Sequence, residues 1–257
     1  MNVASRDEIL LELGLTPTWR WREPHGEIAI QSAETLAHSP QPTARREVLD
    51  SRSTRIAALT WQEFASDVDA CVACGLCKSR NRSVPGVGDT NADWLFLGEA
   101  PGAEEDARGE PFVGQAGKLL DNMLRALKLA RGKQVYIANV LKCRPPNNRR
   151  PESGEAQACR PYLERQIELL QPRLIVALGR SAAAWLLGTD ATIASLRGRV
   201  HQFRGVPLIV TYHPAYLLRT LPDKAKAWED LLLAQRTVAA SPSAQGMIGQ
   251  SDAQPLV

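Results

Sequence analysis

Residues 94–99 read Trp94-Leu95-Phe96-Leu97-Gly98-Glu99, four large apolar side chains in succession and then a glycine and an acid. An apolar run this short, closed by a breaker, reads as a strand buried on both faces. Three more runs of the same kind follow: Val135-Tyr136-Ile137-Ala138, Leu174-Ile175-Val176-Ala177-Leu178 and Leu208-Ile209-Val210. Between them apolar residues recur at helical spacing, first Leu119, Leu120, Met123, Leu124 and Leu127, then Tyr162, Leu163, Ile167 and Leu170. Alternation of buried strands with amphipathic helices predicts an α/β fold, a three-layer α/β/α domain around a central four-stranded parallel sheet.

The residues that close the strands carry the next inference. The first run ends in Gly98-Glu99, the second in Asn139, the third in Gly179 and the last in Tyr212-His213-Pro214. Ligands of open parallel sheets bind beyond the carboxyl ends of the strands. Each residue has a plain alternative: Asn139 as a cap, His213 as a satisfied core histidine, Glu99 as a solvated acid. Three polar residues at three strand ends nonetheless point to one pocket.

The chain has 257 residues and divides into four zones. Residues 1–22 read as a short helical docking motif, with Ser5 and Glu8 spaced as a capping box and Gly14 placed to close the helix. Residues 23–55 are poor in large apolar groups and read as a linker. Residues 56–237 carry the domain pattern, and 238–257 read as a disordered tail. The first residues resemble neither a signal nor a transit peptide and no run is long enough to span a bilayer, so a cytosolic protein is expected. A formal charge of +3 does not require a nucleic-acid partner, so any DNA-binding charge must be local.

Five cysteines, Cys71, Cys74, Cys77, Cys143 and Cys159, are more telling. Three of them fall within seven residues. In a reducing cytosol that clustering favours a metal over disulfides or inert thiols. Four thiolates suit zinc or an iron–sulfur cluster, and spacing does not separate the two.

Three ordered blocks then carry a resemblance. Gly98-Glu99-Ala100-Pro101-Gly102 is followed by Glu105-Asp106 and by Gly109-Glu110-Pro111-Phe112-Val113-Gly114. The second block runs from Tyr136 through Asn139, Lys142, Cys143, Arg144 and Asn148 to Arg149, and the third is His213-Pro214-Ala215-Tyr216-Leu217-Leu218. Together they resemble the active-site motifs of the iron–sulfur family 4 uracil-DNA glycosylases, from about residue 71 to residue 233. The resemblance implies an enzyme that flips uracil out of DNA and hydrolyses its N-glycosidic bond.

It also implies site residues. Asn139 would read the base edge, Phe112 would stack on the base, and His213 would donate to the carbonyl where negative charge grows. Glu99, Ala100 and Pro101 would hold the base through their backbone. Where related branches have an aspartate this chain has Ala100, so Glu99 is the first candidate to position water, Glu105 the second, and Asn148 would orient the water or its loop. Cys71, Cys74, Cys143 and Cys159 resemble the four ligands of a [4Fe–4S] cluster, with Cys77 outside the set. Arg144, Arg149, Arg150, Lys78, Arg80 and Arg82 are candidates for phosphate contacts or for a solvated basic face.

The stretch from Arg6 to Trp19, continued through Ile30, resembles the N-terminal peptide of the psi subunit of bacterial DNA polymerase III. That likeness implies docking of residues 5–30 on the clamp loader, on an otherwise monomeric protein of the bacterial nucleoid. Two rivals are a cluster-stabilised DNA-binding module and a replication adaptor that keeps an inactive glycosylase fold. Both are disfavoured because Glu99, Phe112, Asn139 and His213 occur together.

Overall fold

The computed structural model describes residues 51–240. The docking motif of residues 1–22, most of the linker and residues 241–257 of the tail lie outside the described residues. Helix already runs through 51–57, inside the stretch read as linker, and buries Ile56 against Phe64, Val68 and Tyr162.

The sheet has six strands rather than four. These are β1 (Val87–Gly88), β2 (Trp94–Gly98), β3 (Val135–Asn139), β4 (Leu174–Leu178), β5 (Val200–Phe203) and β6 (Val206–Thr211), in the order β1-β3-β2-β4-β6-β5. The four predicted strands form its parallel centre, and both edges are antiparallel additions. The sequence reading missed the edges for separate reasons. β1 is two residues long, too short to show a period. β5 leans on the solvent and is joined to β6 by Arg204-Gly205, both at positive φ (50° and 82°). That is the backbone of a primed hairpin turn, hidden here because arginine stands in the first of its two places.

The parallel centre is covered on both faces. Leu95, Leu97, Ala138, Ile175, Ala177, Leu208 and Val210 point to one side, onto helices α4 (Ser153–Leu170) and α5 (Arg180–Leu187). Trp94, Phe96, Ile137, Val176 and Ile209 point to the other, onto α3 (Gln115–Ala126) and α8 (Asp223–Ala240). Burial on both faces is why these strands read as continuous apolar runs. The chain leaves β2 for β3 on one side and later reaches β4 on the other. The end of β2 is therefore a topological switch point, where a crevice opens.

Phe96 is fully buried at the centre of the second face. Replacing it with alanine should destabilise the domain by about 3–5 kcal/mol, as large-to-small core changes of this size do. Denaturant unfolding monitored by circular dichroism would show the midpoint fall at an unchanged slope.

Candidate active site

A cavity of about 530 Å³ opens at the carboxyl ends of β2, β3 and β6. β2 delivers Glu99, Ala100 and Pro101 to it, β3 delivers Asn139, and β6 delivers His213. Glu105, Phe112 and Asn148 complete the wall, so all eight non-cysteine site residues expected from the sequence meet in one place. Asn139 and Phe112 are nearly withdrawn from solvent, at 2% and 4% exposure. Gly98 makes their approach possible: a Cβ there would stand 2.4 Å from Asn139 Oδ1 and 2.7 Å from Phe112 Cζ.

The Phe112 loop is held from outside the cavity. Phe112 has φ 55°, a costly conformation for a bulky residue that persists only where neighbours enforce it. Arg131 supplies the force, its guanidinium donating to the carbonyls of Pro111 and Phe112, both at 2.8 Å. Asp121 anchors that guanidinium at 3.0 Å. Gly117 lets helix α3 run under the loop, since a Cβ there would lie 1.7 Å from the Phe112 carbonyl oxygen.

Glu105 turns out to be a loop fastener. Its Oε1 accepts from the N–H groups of Val113 (2.9 Å) and Gly114 (3.2 Å), and its Oε2 accepts from that of Gly102 (3.1 Å). With both oxygens engaged by backbone donors, it ties the 98–102 turn to the Phe112 loop and is poorly placed to hold water. Asn148, at φ 55°, accepts from Arg144 Nε at 2.8 Å.

His213 caps the short helix α7 (Pro214–Leu217), with the Ala215 N–H donating to its Nδ1 at 3.1 Å. A ring nitrogen that accepts carries no proton, so the neutral ring holds its hydrogen on Nε2. Burial, reinforced by the charge of Arg219, lowers the His213 pKa to about 4. The imidazole is thus a neutral donor, its ring 5.5 Å from that of Phe112. Glu99 is half-buried, and burial raises its pKa against the opposing influence of Ser181 and Arg150.

All five cysteines, Cys77 included, line a second cavity together with Arg80, Lys142 and Tyr162. Donors are aimed at the sulfurs. Arg80 Nη1 reaches Cys143 Sγ at 2.8 Å, the Lys142 N–H reaches Cys159 Sγ at 3.3 Å, and Arg52 Nη2 reaches Cys71 Sγ at 3.5 Å. Burial pushes the Cys159 thiol up to about 12, so it ionises at neutral pH only with help from a bound positive group. Among the described residues no three such side chains close on a single point. Thiols around a cavity, with cationic and amide donors behind them, are a donor set that suits an iron–sulfur cluster or zinc.

Sequence reasoning gave no role to Arg219 or Lys142, and it did not foresee the partners that hold Arg149 and Arg80. Arg149 and Arg219 also line the first cavity, though Arg149 is held bidentately by Glu155 at 2.6 and 2.9 Å. Arg80, a candidate for phosphate contact, spends its guanidinium on Cys143 and on the Asp69 carbonyl. Lys142 is buried between the two cavities, with its pKa lowered to about 8 by burial. A lysine between Leu141 and Cys143 was the one available signal for it.

Comparison with known proteins bears on this arrangement. The family model of the uracil DNA glycosylase superfamily matches residues 85–232. The type-4 uracil-DNA glycosylase of Archaeoglobus fulgidus is 45% identical over 164 residues, covering 61% of this chain and 82% of that protein. The type-4 uracil-DNA glycosylase of Thermotoga maritima is 46% identical over 161 residues, covering 62% and 83%. That of Sulfurisphaera tokodaii is 41% identical over 189 residues, covering 70% and 86%.

The His213 geometry has a measurable signature. Nitrogen chemical shifts of the ring should report the Nε2–H tautomer, unprotonated at pH 5.5. The sign for stability follows from a folded pKa below the ordinary 6.5. Between about pH 4 and 6.5 the unfolded chain binds more protons at this site, so its contribution to stability rises with pH and is lost on acidification through that window. A shift change centred near 6.5 would contradict the assignment.

Proposed function

The chain belongs to the uracil-DNA glycosylase superfamily, and we propose that it excises uracil from DNA by hydrolysing the N-glycosidic bond, the first step of base excision repair. The observation that carries the reading is the meeting of Asn139, Phe112 and a neutral, Nε2-protonated His213 in one cavity sized for a base.

The chemistry follows from these groups. A base inside a duplex must leave the stack to be cut, and a flipped uracil presents an N–H donor flanked by two carbonyl acceptors. The Asn139 carboxamide offers an acceptor and a donor that match the N–H and one carbonyl. Cytosine inverts the pattern and would leave buried groups without partners, which supports discrimination of roughly 10⁴-fold or more. The Phe112 ring stacks on the base face. As the C1′–N1 bond breaks, the base departs as an anion and the sugar gains oxocarbenium character. The His213 Nε2–H donates to the carbonyl on which the charge gathers, without surrendering its proton.

Water completes the sugar at C1′, giving an abasic site. Glu99 is assigned to position that water; burial raises its pKa, and Ser181 and Arg150 oppose that rise in favour of the carboxylate. Ala100 and Pro101 wall the base. Glu105 and Asn148 hold the loops rather than the water. Cys71, Cys74, Cys143 and Cys159 would hold a [4Fe–4S] cluster, which when bound pins the 71–80 segment and the stretch around Cys143 to helix α4. Cys77 lies within reach of the same cavity. Arg144 and Arg150 remain the phosphate contacts best supported by position. In the same reading residues 5–30 tether a monomeric cytosolic enzyme to the clamp loader. Deleting residues 1–30 should abolish clamp-loader retention and leave base excision intact.

The deciding experiment is release of uracil from an oligonucleotide by protein purified without air, with cytosine- and thymine-containing strands as controls. Selective release leaving an alkali-labile abasic site is expected. Replacing His213 with alanine should lower the rate by about 10²–10³-fold, the loss typical of one oxyanion donor. Glu99→Ala should also slow it, and an unchanged rate would remove that residue from the reaction. Loss of all discrimination in the parent protein would overturn the reading of Asn139.

A further inference from the structure

Lys142 is only 1% exposed, yet it lines no part of the base cavity. Its ammonium donates to the backbone carbonyl of Asn139 at 2.8 Å and to Gln166 Oε1 at 2.6 Å. Gln166 is itself fully buried and fixed in turn, its Nε2 donating to the Pro85 carbonyl at 2.8 Å and to the Tyr136 hydroxyl at 3.2 Å. In the other direction the Lys142 backbone N–H donates to Cys159 Sγ, and the residue forms part of the cysteine cavity wall.

Both acceptors of the ammonium are neutral. A cation buried against neutral groups is costly, and an apolar side chain of similar length would fill the same volume at lower cost. The arrangement makes sense if the hydrogen bond to Asn139 is what matters. Asn139 is the last residue of β3 in register with β2, facing Gly98. Beyond it the Val140 and Leu141 N–H groups bind the carbonyls of Gly98 and Glu99 (2.9 and 3.0 Å), which fixes one edge of the turn. The Asn139 carbonyl lies on the other edge, and Lys142 holds it.

We propose that Lys142 is a positioning residue whose ammonium clamps the peptide after Asn139, aiming the base-reading carboxamide, while its backbone tethers that clamp to the cysteine cavity. This rests on the reading of Asn139 as the group that recognises uracil. It makes the 139–143 turn a single brace with one end in each cavity. The integrity of the cysteine site then reaches base recognition through four residues, with no rearrangement of the sheet.

The test uses full-length protein purified without air, assayed for iron content, for binding of free uracil by calorimetry and for excision. Lys142→Met should keep its iron and lose uracil affinity by about ten- to a hundredfold, the factor expected when a buried acceptor loses its donor. On an Asn139→Ala background the same change should lower kcat/KM by no more than about twofold, because the group being aimed is already gone. Retained affinity in Lys142→Met, or a full additional loss in the double variant, would overturn the proposal. Should Lys142→Met not fold or not hold iron, Gln166→Met takes its place: it touches neither cavity but frees the ammonium. It should weaken uracil binding several-fold, and unchanged binding would overturn the proposal equally. A parent protein that neither binds nor releases uracil would instead sink the glycosylase reading itself.

Discussion

At the carboxyl end of β2, Gly98 stands in register with Asn139, and the side chain it lacks decides how closely the site can assemble. A methyl group there would collide with both the Asn139 amide and the Phe112 ring. The parallel register thus brings a polar strand end and an aromatic loop to the same few ångströms. Every other feature of the cavity, from the clamp on Phe112 to the cap at His213, elaborates that one close approach. The switch in strand order places it in a crevice rather than on a flat sheet edge.

Burial works against charge in both cavities. In the first cavity burial keeps His213 neutral and raises the Glu99 pKa, with Ser181 and Arg150 acting the other way. In the cysteine cavity burial raises the Cys143 and Cys159 thiols, while Arg80 and the Lys142 N–H, aimed at those two sulfurs, act the other way. One region suits a leaving group that gains charge late. The other leaves Cys159 dependent on a bound positive group for its charge. They are adjacent because Asn139 and Cys143 are separated by one short turn.

How far the sequence could be read depended on the range of the contacts involved. The parallel strands were plain because burial on both faces leaves unbroken apolar runs. The edge strands were not, because β5 is half-solvated and its turn is built from Arg204 and Gly205. Strand-end residues such as Asn139 and His213 announced themselves by position. The grip of Arg131 on Pro111 and Phe112 spans about twenty residues, and that of Lys142 on Gln166 spans 24. No local pattern signals such contacts. The hydrogen bonds of Glu105 were hidden for a related reason: an acid beside a glycine-rich loop gives no sign in sequence that its two oxygens accept from three backbone N–H groups.

The Arg131 clamp has one more implication. Two successive carbonyls and a left-handed aromatic residue are immobilised by a guanidinium that faces away from the cavity. On the proposed reading of Phe112 as the stacking surface, that surface is ordered by folding and not by the arrival of a base, so little conformational entropy is lost on recognition. On that reading the ring is in place for the released base as well as for the attached one. Product release is then a step of its own, in which the base must leave a surface that does not relax when the bond is cut.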